Sequence, residues 1–155
     1  MLAIKKFSEL TESELHLISD IHYNHWVQYN PKMVKKDTID KFLNIYTKNE
    51  LPFGIVLLEN DVIIGFCVFK VQCLKKYPEF TPWISDVMIL ESFRGKGYGR
   101  KLVGYAENVL KELGYKYAYL WTDQAPDFYK KIGFSYKQEV EKNEGGFGQL
   151  FYKNL

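Results

Sequence analysis

Cysteine is scarce in this chain, and its two cysteines are too few for the disulfide framework of a small secreted domain. Cys67 and Cys73 lie in or beside one predicted strand without a CxxC pair, so both are expected to be reduced thiols. The chain also lacks a run of about 18 uncharged apolar residues, which excludes an ordinary transmembrane helix. Its first residues lack the apolar stretch of a secretory signal, and the default expectation is a cytoplasmic protein without membrane attachment.

Histidine and net charge are equally limited. The three histidines, His16, His22 and His25, fall in one predicted N-terminal helix without a downstream ligand set, so the sequence indicates no metal site. Lysine and arginine number 21 against 19 aspartates and glutamates, a net charge of +2. This small excess argues against a general nucleic-acid binder and makes any local cluster of cations informative.

The apolar pattern predicts one α/β domain over residues 1–155, because no repeat or long linker divides the chain. Thr11-Glu12-Ser13-Glu14 has the form of a capping box that starts a helix, and Asn60-Asp61 has the form of a hairpin turn. Gly114 is placed to end the longest helix. The predicted strands are residues 3–7, Gly54–Glu59, Val62–Gln72, Trp83–Leu90, Tyr117–Thr122, Phe134–Val140 and Gln149–Tyr152. The predicted helices are Glu12–Gln28, a second helix capped by Asp37 or Thr38 and ending at Tyr46, Gly97–Leu113, and a short helix capped by Thr122 or Asp123 and ending at Ile132.

The most distinctive segment is the basic stretch Arg94-Gly95-Lys96-Gly97-Tyr98-Gly99-Arg100-Lys101, between a predicted strand and the longest predicted helix. Its alternating glycines allow positive φ and close approach of a ligand to the main chain, and the first amides of a helix favour an anion. The segment is not a Walker loop, because Lys96 is followed by Gly97, and a dinucleotide fingerprint would need glycine at Arg100. These residues predict a pyrophosphate site, although they also suit a basic turn without a ligand.

Two motifs carry a family resemblance. Arg94, Gly97 and Gly99 supply the pattern Arg/Gln-x-x-Gly-x-Gly/Ala, and residues 125–134 resemble the segment Phe-Tyr-x-x-x-Gly-Phe. In this order and spacing they resemble the acetyl-coenzyme A signature of the GNAT N-acetyltransferases. The resemblance covers a little over a third of the chain and is specific for the superfamily, not for a substrate.

The resemblance implies a mixed, mostly antiparallel sheet of six or seven strands, splayed in the middle and flanked by about four helices. The pantetheine arm of acetyl-CoA would lie between the strands Trp83–Leu90 and Tyr117–Thr122, where unpaired main-chain groups can bind it. By position, the family's pantetheine contacts fall on Val87, Met88 and Ile89. Its pyrophosphate contacts fall on Arg94, Gly95, Lys96, Gly97, Tyr98, Gly99 and Arg100.

The implied reaction is transfer of an acetyl group to a primary amine, which needs an acid for the departing thiolate and a base for the amine. Tyr129 corresponds to the family's acid, with incidental packing at a helix end as the alternative. Asp86 is the only carboxylate in the splayed strand and is a candidate base, but a salt bridge to a loop lysine is equally expected. Strand alternation places the Asp86 side chain on the other face of the sheet from the side chains of Val87 and Ile89. The Ile89 amide is a candidate hydrogen-bond donor to the oxyanion.

Several questions stay open at this point. The acceptor is a small-molecule or peptide amine, and its pocket draws on aromatic residues of the first two helices that equally suit a buried core. A non-catalytic acyl-CoA sensor is the main alternative to an enzyme, and a nucleic-acid binder using the basic loop is a weaker one. Neither the use of a longer acyl chain nor the choice between monomer and homodimer follows from the sequence. The candidate acceptor-pocket residues are Tyr23, His25, Trp26, Tyr29, Tyr46 and the loop Asn143–Gly148.

Overall fold

A computed structural model describes all 155 residues and shows a seven-stranded mixed sheet flanked by four helices. The strands are β1 (Leu2–Lys6), β2 (Phe53–Glu59), β3 (Val62–Lys70), β4 (Trp83–Ile89), β5 (Tyr117–Thr122), β6 (Ser135–Glu141) and β7 (Phe147–Asn154). Their order in the sheet is β1-β2-β3-β4-β5-β7-β6. The helices are α1 (Glu12–Trp26), α2 (Lys35–Asp40), α3 (Tyr98–Glu112) and α4 (Pro126–Lys131). The predicted α/β fold class and the counts of strands and helices are confirmed.

Local signals explain where several elements begin and end. Thr11 and Glu14 form the predicted capping box: the Glu14 amide donates to Thr11 Oγ1 at 3.1 Å, and the Thr11 amide donates to Glu14 Oε1 at 2.9 Å. Asn60 and Asp61 have φ values of 49° and 66°, the left-handed pair that a tight hairpin between β2 and β3 requires. Gly114 follows α3 with φ of 92°, as predicted for a helix terminator.

Two predicted helices differ from the structure. The second helix begins at Lys35 without a side-chain cap, so the prediction that Asp37 or Thr38 caps it is wrong, and its last turn, Lys41–Ile45, is a π-turn. The short helix begins at Pro126, which is favourable at a first helical position because its nitrogen needs no acceptor. Thr122 does not cap this helix; its hydroxyl instead accepts from the Gln124 and Ala125 amides in the preceding turn.

Two hydrophobic clusters cover opposite faces of the sheet. One lies under α3, whose buried positions Leu102, Val103, Ala106 and Leu110 form an apolar stripe along the helix. Leu113, predicted as the last residue of the helix, is 45% exposed. The other cluster lies under α1 and the π-turn, and contains Phe7, Leu15, Ile18, Phe42, Phe66 and Met88. The sheet therefore separates an α3 face from an α1 face.

The sheet is interrupted between β4 and β5. These two strands form its one parallel pair, and they pair only at Trp83 and Tyr119, whose amide donates to the Pro82 carbonyl at 3.0 Å. Beyond this point β4 and β5 diverge, which confirms the predicted splay. Neither of the 15-residue helices α1 and α3, nor any other helix, is long and apolar enough to cross a membrane.

Candidate active site

The glycine-rich segment forms the connection between β4 and α3. A 3-10 turn at Glu91–Phe93 follows β4, and Gly97 immediately precedes Tyr98, the first residue of α3. Gly95 and Gly97 have φ values of 77° and 83°, which residues with side chains adopt only with strain. A Cβ placed on either glycine meets no atom within 4 Å, so the outer face of this connection is open.

The backbone amides of this segment are available to a ligand. None of the amides of residues 95–100 donates a hydrogen bond within the protein, and the first bond into α3 runs from the Lys101 amide to the Gly97 carbonyl. Free donors at the positive end of a helix dipole favour an anion. A diphosphate offers several acceptor oxygens, so the open glycines and free amides fit the pyrophosphate of coenzyme A.

The basic side chains of the segment point to different places. Arg94 turns back onto β4, where its Nε donates to the Ile89 carbonyl at 2.8 Å and its Nη2 lies 3.3 Å from Met88 Sδ. Arg100 and Lys101, on the first turn of α3, line a cavity of about 450 Å³ on the outer side of that helix. The segment thus presents cations on both sides of the free amides.

Lys96 and Tyr98 differ in what they leave free. Lys96 is exposed, with its ammonium 5.9 Å from the centre of the Phe93 ring. The Tyr98 hydroxyl donates to the Glu59 carboxylate at the end of β2. Because its hydroxyl is engaged, Tyr98 offers a ligand its backbone amide.

The strand β4 presents main-chain groups to the gap beside β5. The Leu90 amide donates to the Ile64 carbonyl on β3 at 2.9 Å, so the amide and carbonyl of Ile89 point away from β3. The Arg94 bond to the Ile89 carbonyl lies on this same edge. Val87, Met88 and Ile89 all lie beyond the point where β4 and β5 separate. This position suits the pairing with the amides of a pantetheine arm that the family resemblance implies.

A β-bulge interrupts β4 at Asp86. Phe66 pairs with Met88 and Val68 pairs with Ser85, so Asp86 and Val87 both lie opposite Cys67. Asp86 has φ of 55°, a left-handed conformation that a non-glycine residue adopts at a cost. Bulges of this kind often lie next to active sites, where the extra residue changes the direction of a side chain. Here the bulge turns the Asp86 carboxylate toward α1, while Val87 packs against the core under α3.

Asp86 is held by two basic side chains. Its Oδ2 lies 3.1 Å from Lys70 Nζ, at the end of β3, and 3.5 Å from His22 Nε2 on α1. Burial alone would raise the pKa of Asp86, but the charge of Lys70 and the contact with His22 outweigh it and hold this pKa far below its usual range. The pairing also raises the pKa of Lys70 against the opposing effect of burial. Asp86 is therefore charged at neutral pH and is a weak proton acceptor, and its salt bridge is to a strand lysine instead of the expected loop lysine.

Tyr129 lies on α4 and packs against the core under α3. Its ring packs against Phe128 and Phe134, with centroid distances of 5.0 and 6.0 Å. Burial, with a smaller contribution from the nearby Cys67 thiol, raises the pKa of Tyr129 to about 12. The hydroxyl is therefore protonated at neutral pH, as a general acid requires. Burial, with a smaller contribution from the charge of Asp86, raises the pKa of the Cys67 thiol.

The aromatic residues predicted for an acceptor pocket have mixed environments. Tyr46 is 7% exposed and packs within the cluster under α1, whereas Tyr29 is 54% exposed at the end of that helix. The Trp26 ring lies 4.5 Å from the His22 ring and 4.7 Å from the His25 ring. Core packing accounts for Tyr46, and the half-exposed aromatic residues of α1 remain available to an acceptor.

The structure brings His22 and Lys70 to the site, and the sequence does not single them out for it. From the sequence His22 is of interest only as a metal ligand, and no metal-binding group of three or more ligating side chains occurs in the structure. In the sequence, Lys70 is an ordinary cation near the end of a predicted strand. Their common partner Asp86 is the available signal, because a carboxylate within an apolar strand requires a counter-charge from a neighbouring element.

The chain has relatives among known proteins. A family model described as "Acetyltransferase (GNAT) family" matches residues 16–134. The chain is 34% identical over 106 residues to "Uncharacterized N-acetyltransferase CgeE" of Bacillus subtilis, a match that covers 60% of this chain and 39% of that protein. It is 29% identical over 122 residues to the [Ribosomal protein bS18]-alanine N-acetyltransferase of Haemophilus influenzae, covering 77% of this chain and 72% of that protein. The chain thus spans well under half the length of the first of these relatives.

Solved structures share the fold. An aminoglycoside 6'-acetyltransferase type Ii superposes with a TM-score of 0.74 at 18% identity, over 98% of this chain and 96% of that one. YncA of Salmonella typhimurium, solved with its cofactor acetyl-CoA, superposes with a TM-score of 0.69 at 16% identity, over 99% and 94% of the two chains. These structures confirm the predicted fold, and the named N-acetyltransferases among the relatives agree with the predicted class of enzyme. Since the family model spans most of its length, the chain belongs to the acetyltransferase (GNAT) family, whose acetyl donor is acetyl-CoA.

Proposed function

We propose that this protein is an N-acetyltransferase that binds acetyl-CoA along the gap between β4 and β5 and transfers the acetyl group directly to a primary amine. One observation carries the proposal: the main-chain amides that have no partner within the protein lie directly next to that gap. The amides of residues 95–100 have no partner in the protein, and the Ile89 amide faces the adjoining opening. Acetyl-CoA, as a substrate, supplies an activated thioester.

The residues of β4 and the glycine-rich segment have the binding role in this proposal. Amides 95–100 hold the pyrophosphate, with Arg94, Lys96 and Arg100 supplying positive charge around it. Val87 and Ile89 hold the pantetheine arm through main-chain hydrogen bonds, and Met88, which pairs with Phe66 on β3, lies between them. The Ile89 amide stabilises the oxyanion that forms on the acetyl carbonyl.

Tyr129 has the role of general acid. Its O–H donates a proton to the departing sulfur, and the high pKa of Tyr129 keeps it protonated until that step. Asp86 contributes to the site as a fixed negative charge, because its pairing with Lys70 leaves it little basicity. The acceptor is a small-molecule or peptide amine. Both kinds occur among similar proteins, one named for ribosomal protein alanine and one for an aminoglycoside.

The experiment measures release of free thiol from acetyl-CoA with a panel of amines: an alanine-first peptide, a lysine peptide, an aminoglycoside and a polyamine. Tyr129→Phe should lower kcat for the best acceptor by about 10²-fold, the usual contribution of general acid catalysis. Calorimetry should show coenzyme A binding unchanged by this substitution. Tyr136→Phe, on the exposed side of β6, is the matched control and should keep full activity.

The two main alternatives give different results. Coenzyme A binding without thiol release for any amine would support a non-catalytic acyl-CoA sensor. Full activity of Tyr129→Phe would remove Tyr129 from the acid role while leaving the transfer reaction in place. Absence of any binding of coenzyme A to folded protein would refute the proposal as a whole.

A further inference from the structure

A buried histidine lies against Asp86 on the α1 face of the sheet. His22 is 8% exposed, and neither of its ring nitrogens forms a hydrogen bond within the protein. Its ring packs among Trp26, Phe42 and Phe66, at centroid distances of 4.5, 5.1 and 6.4 Å. A buried polar atom without a partner costs about 1–3 kcal/mol, and a phenylalanine or leucine would fill this position without that cost. Packing alone therefore does not account for an imidazole here.

The contact with Asp86 determines which ring nitrogen carries the proton. A neutral imidazole has one N–H donor and one lone pair. Asp86 is ionised because Lys70 lies 3.1 Å from the same oxygen that His22 Nε2 approaches at 3.5 Å. A carboxylate attracts an N–H and repels a lone pair, so the proton is placed on Nε2 and the lone pair on Nδ1. His22 Nδ1 is then a buried and unengaged base.

The position of His22 relative to the gap is also suitable. Asp86 lies in the bulge immediately before Val87, Met88 and Ile89, the β4 residues beyond the point where β4 and β5 separate. The next turn of α1 carries His25, whose pKa is lowered first by burial and then by the charges of Arg94 and His22. Arg94 is bonded to the Ile89 carbonyl at the edge of the gap. The contact between His22 and Asp86 therefore places the C-terminal half of α1 next to the part of β4 that borders the gap.

We infer that His22 is the proton acceptor for the acceptor amine, acting through Nδ1, and that Asp86 and Lys70 are positioning residues that fix its tautomer. This inference rests on the proposed acetyl transfer. It assigns the base of the reaction to a residue of α1 and gives Asp86 a supporting part.

The reaction balances with these groups. The bound ammonium gives one proton to His22 Nδ1. The neutral nitrogen that results forms a bond to the thioester carbonyl carbon, and the carbonyl π pair moves to oxygen. The carbonyl re-forms as the carbon–sulfur bond breaks, its electron pair leaves on sulfur, and Tyr129 supplies the proton that makes the free thiol. The products are the amide and coenzyme A. The imidazolium then returns its proton to solvent, and the tyrosinate regains one from the amide nitrogen.

Charged and titratable groups approach His22 from several elements. Lys70 approaches from β3, Asp86 from β4, and Tyr46 from the end of the π-turn, while His25 lies on the next turn of α1. Asp86 and Lys70 give the imidazole one negative and one positive neighbour.

The first test compares kcat/KM of the native protein with that of His22→Gln, over pH 6 to pH 9.5, for an alkyl amine and for a weakly basic amine. An alkyl amine with a pKa of about 10 is neutral in roughly one molecule per thousand at pH 7, so loss of the base should cost about 10²–10³-fold there. The loss should shrink as the pH approaches 9.5 and should be small at all pH values for the weakly basic amine. His16→Gln, on the exposed side of α1, is the matched control.

A purely structural role of His22 would give the same loss at every pH and for both amines, and that result would overturn the inference. The second test is independent of activity and of the variant's ability to fold. Nitrogen-15 shifts of His22 in the native protein at neutral pH should show a protonated Nε2 and an unprotonated Nδ1. The opposite tautomer would also overturn the inference. If the native protein binds coenzyme A but acetylates no amine, the proposed function fails, whereas an active His22→Gln with an unaltered pH profile removes His22 alone.

Discussion

Replacement of Gly97 by valine should separate ligand binding from folding. Gly97 stands at the start of α3 with φ of 83°, and a Cβ at this position meets no protein atom within 4 Å. The Cβ of valine would therefore clash with nothing in the free protein, and its branched side chain would project into the open side of the amides of residues 95–100. It would also hold a left-handed conformation that costs about 1–2 kcal/mol for a residue with a side chain.

Both the backbone strain and the loss of ligand binding can be measured as changes in melting temperature. For a chain of this length, 1 kcal/mol shifts Tm by about 2–4 °C, so backbone strain should lower the Tm of Gly97→Val by about 2–8 °C. Coenzyme A at about 100 times its Kd stabilises a native protein by about 2.7 kcal/mol, which raises Tm by roughly 5–11 °C. This ligand-induced rise should be absent from Gly97→Val, because the side chain keeps the diphosphate away from the free amides.

Gly114→Val is the matched control. Gly114 has φ of 92°, and a Cβ placed on it likewise meets no atom within 4 Å, but it lies at the other end of α3. Its valine variant should show a similar loss of Tm without ligand and the full rise with coenzyme A. The measurement is thermal unfolding of the three proteins with and without coenzyme A. A full ligand-induced rise in Gly97→Val would refute the assignment of these amides to the pyrophosphate.

Three further predictions concern the stability of the fold. Lys70→Met leaves the Asp86 carboxylate buried without its cation and should lower the free energy of unfolding by about 3 kcal/mol, measured in urea; a loss below about 1 kcal/mol would show that the pair contributes little. The pKa of Asp86 is lowered in the folded chain, so the contribution of its charge to stability is complete above the unfolded pKa of about 4 and is lost as the pH falls below that value. Asp86→Asn should make the free energy of unfolding less dependent on pH in this acid range. An unchanged slope between pH 5 and pH 2.5 would contradict the prediction. Thr11→Ala removes the acceptor of the Glu14 amide and should cost about 1 kcal/mol in thermal unfolding, whereas Ser13→Ala, which removes no cap, should cost much less.

The elements that the sequence predicts well are those encoded by neighbouring residues. The capping box at Thr11 and the left-handed hairpin pair Asn60 and Asp61 each depend on a few adjacent side chains, and the structure contains both. The terminating glycine Gly114 is of the same kind. The open glycine-rich connection before α3 is also predictable, since alternate glycines act locally on the main chain.

The elements that sequence reasoning misses depend on contacts between distant segments. Strand alternation correctly separates Asp86 from Val87, but it does not show the bulge, which exists because Phe66 and Val68 on β3 pair with residues three apart on β4. The meeting of Asp86 with His22 has the same origin. No local pattern joins α1 to β4, so neither the histidine nor the lysine at the site can be placed from the sequence.

The meeting of β4 and β5 at one residue pair has a consequence for how this domain can change. Strands β1 to β4 keep their register through one set of ladders, and β5, β7 and β6 keep theirs through another, with little shared between the two sets. Insertions or exchanges in the β6–β7 hairpin therefore leave the alignment of β4 undisturbed. One half of the molecule can diversify in what it recognises while the other half keeps the geometry in which the donor is held.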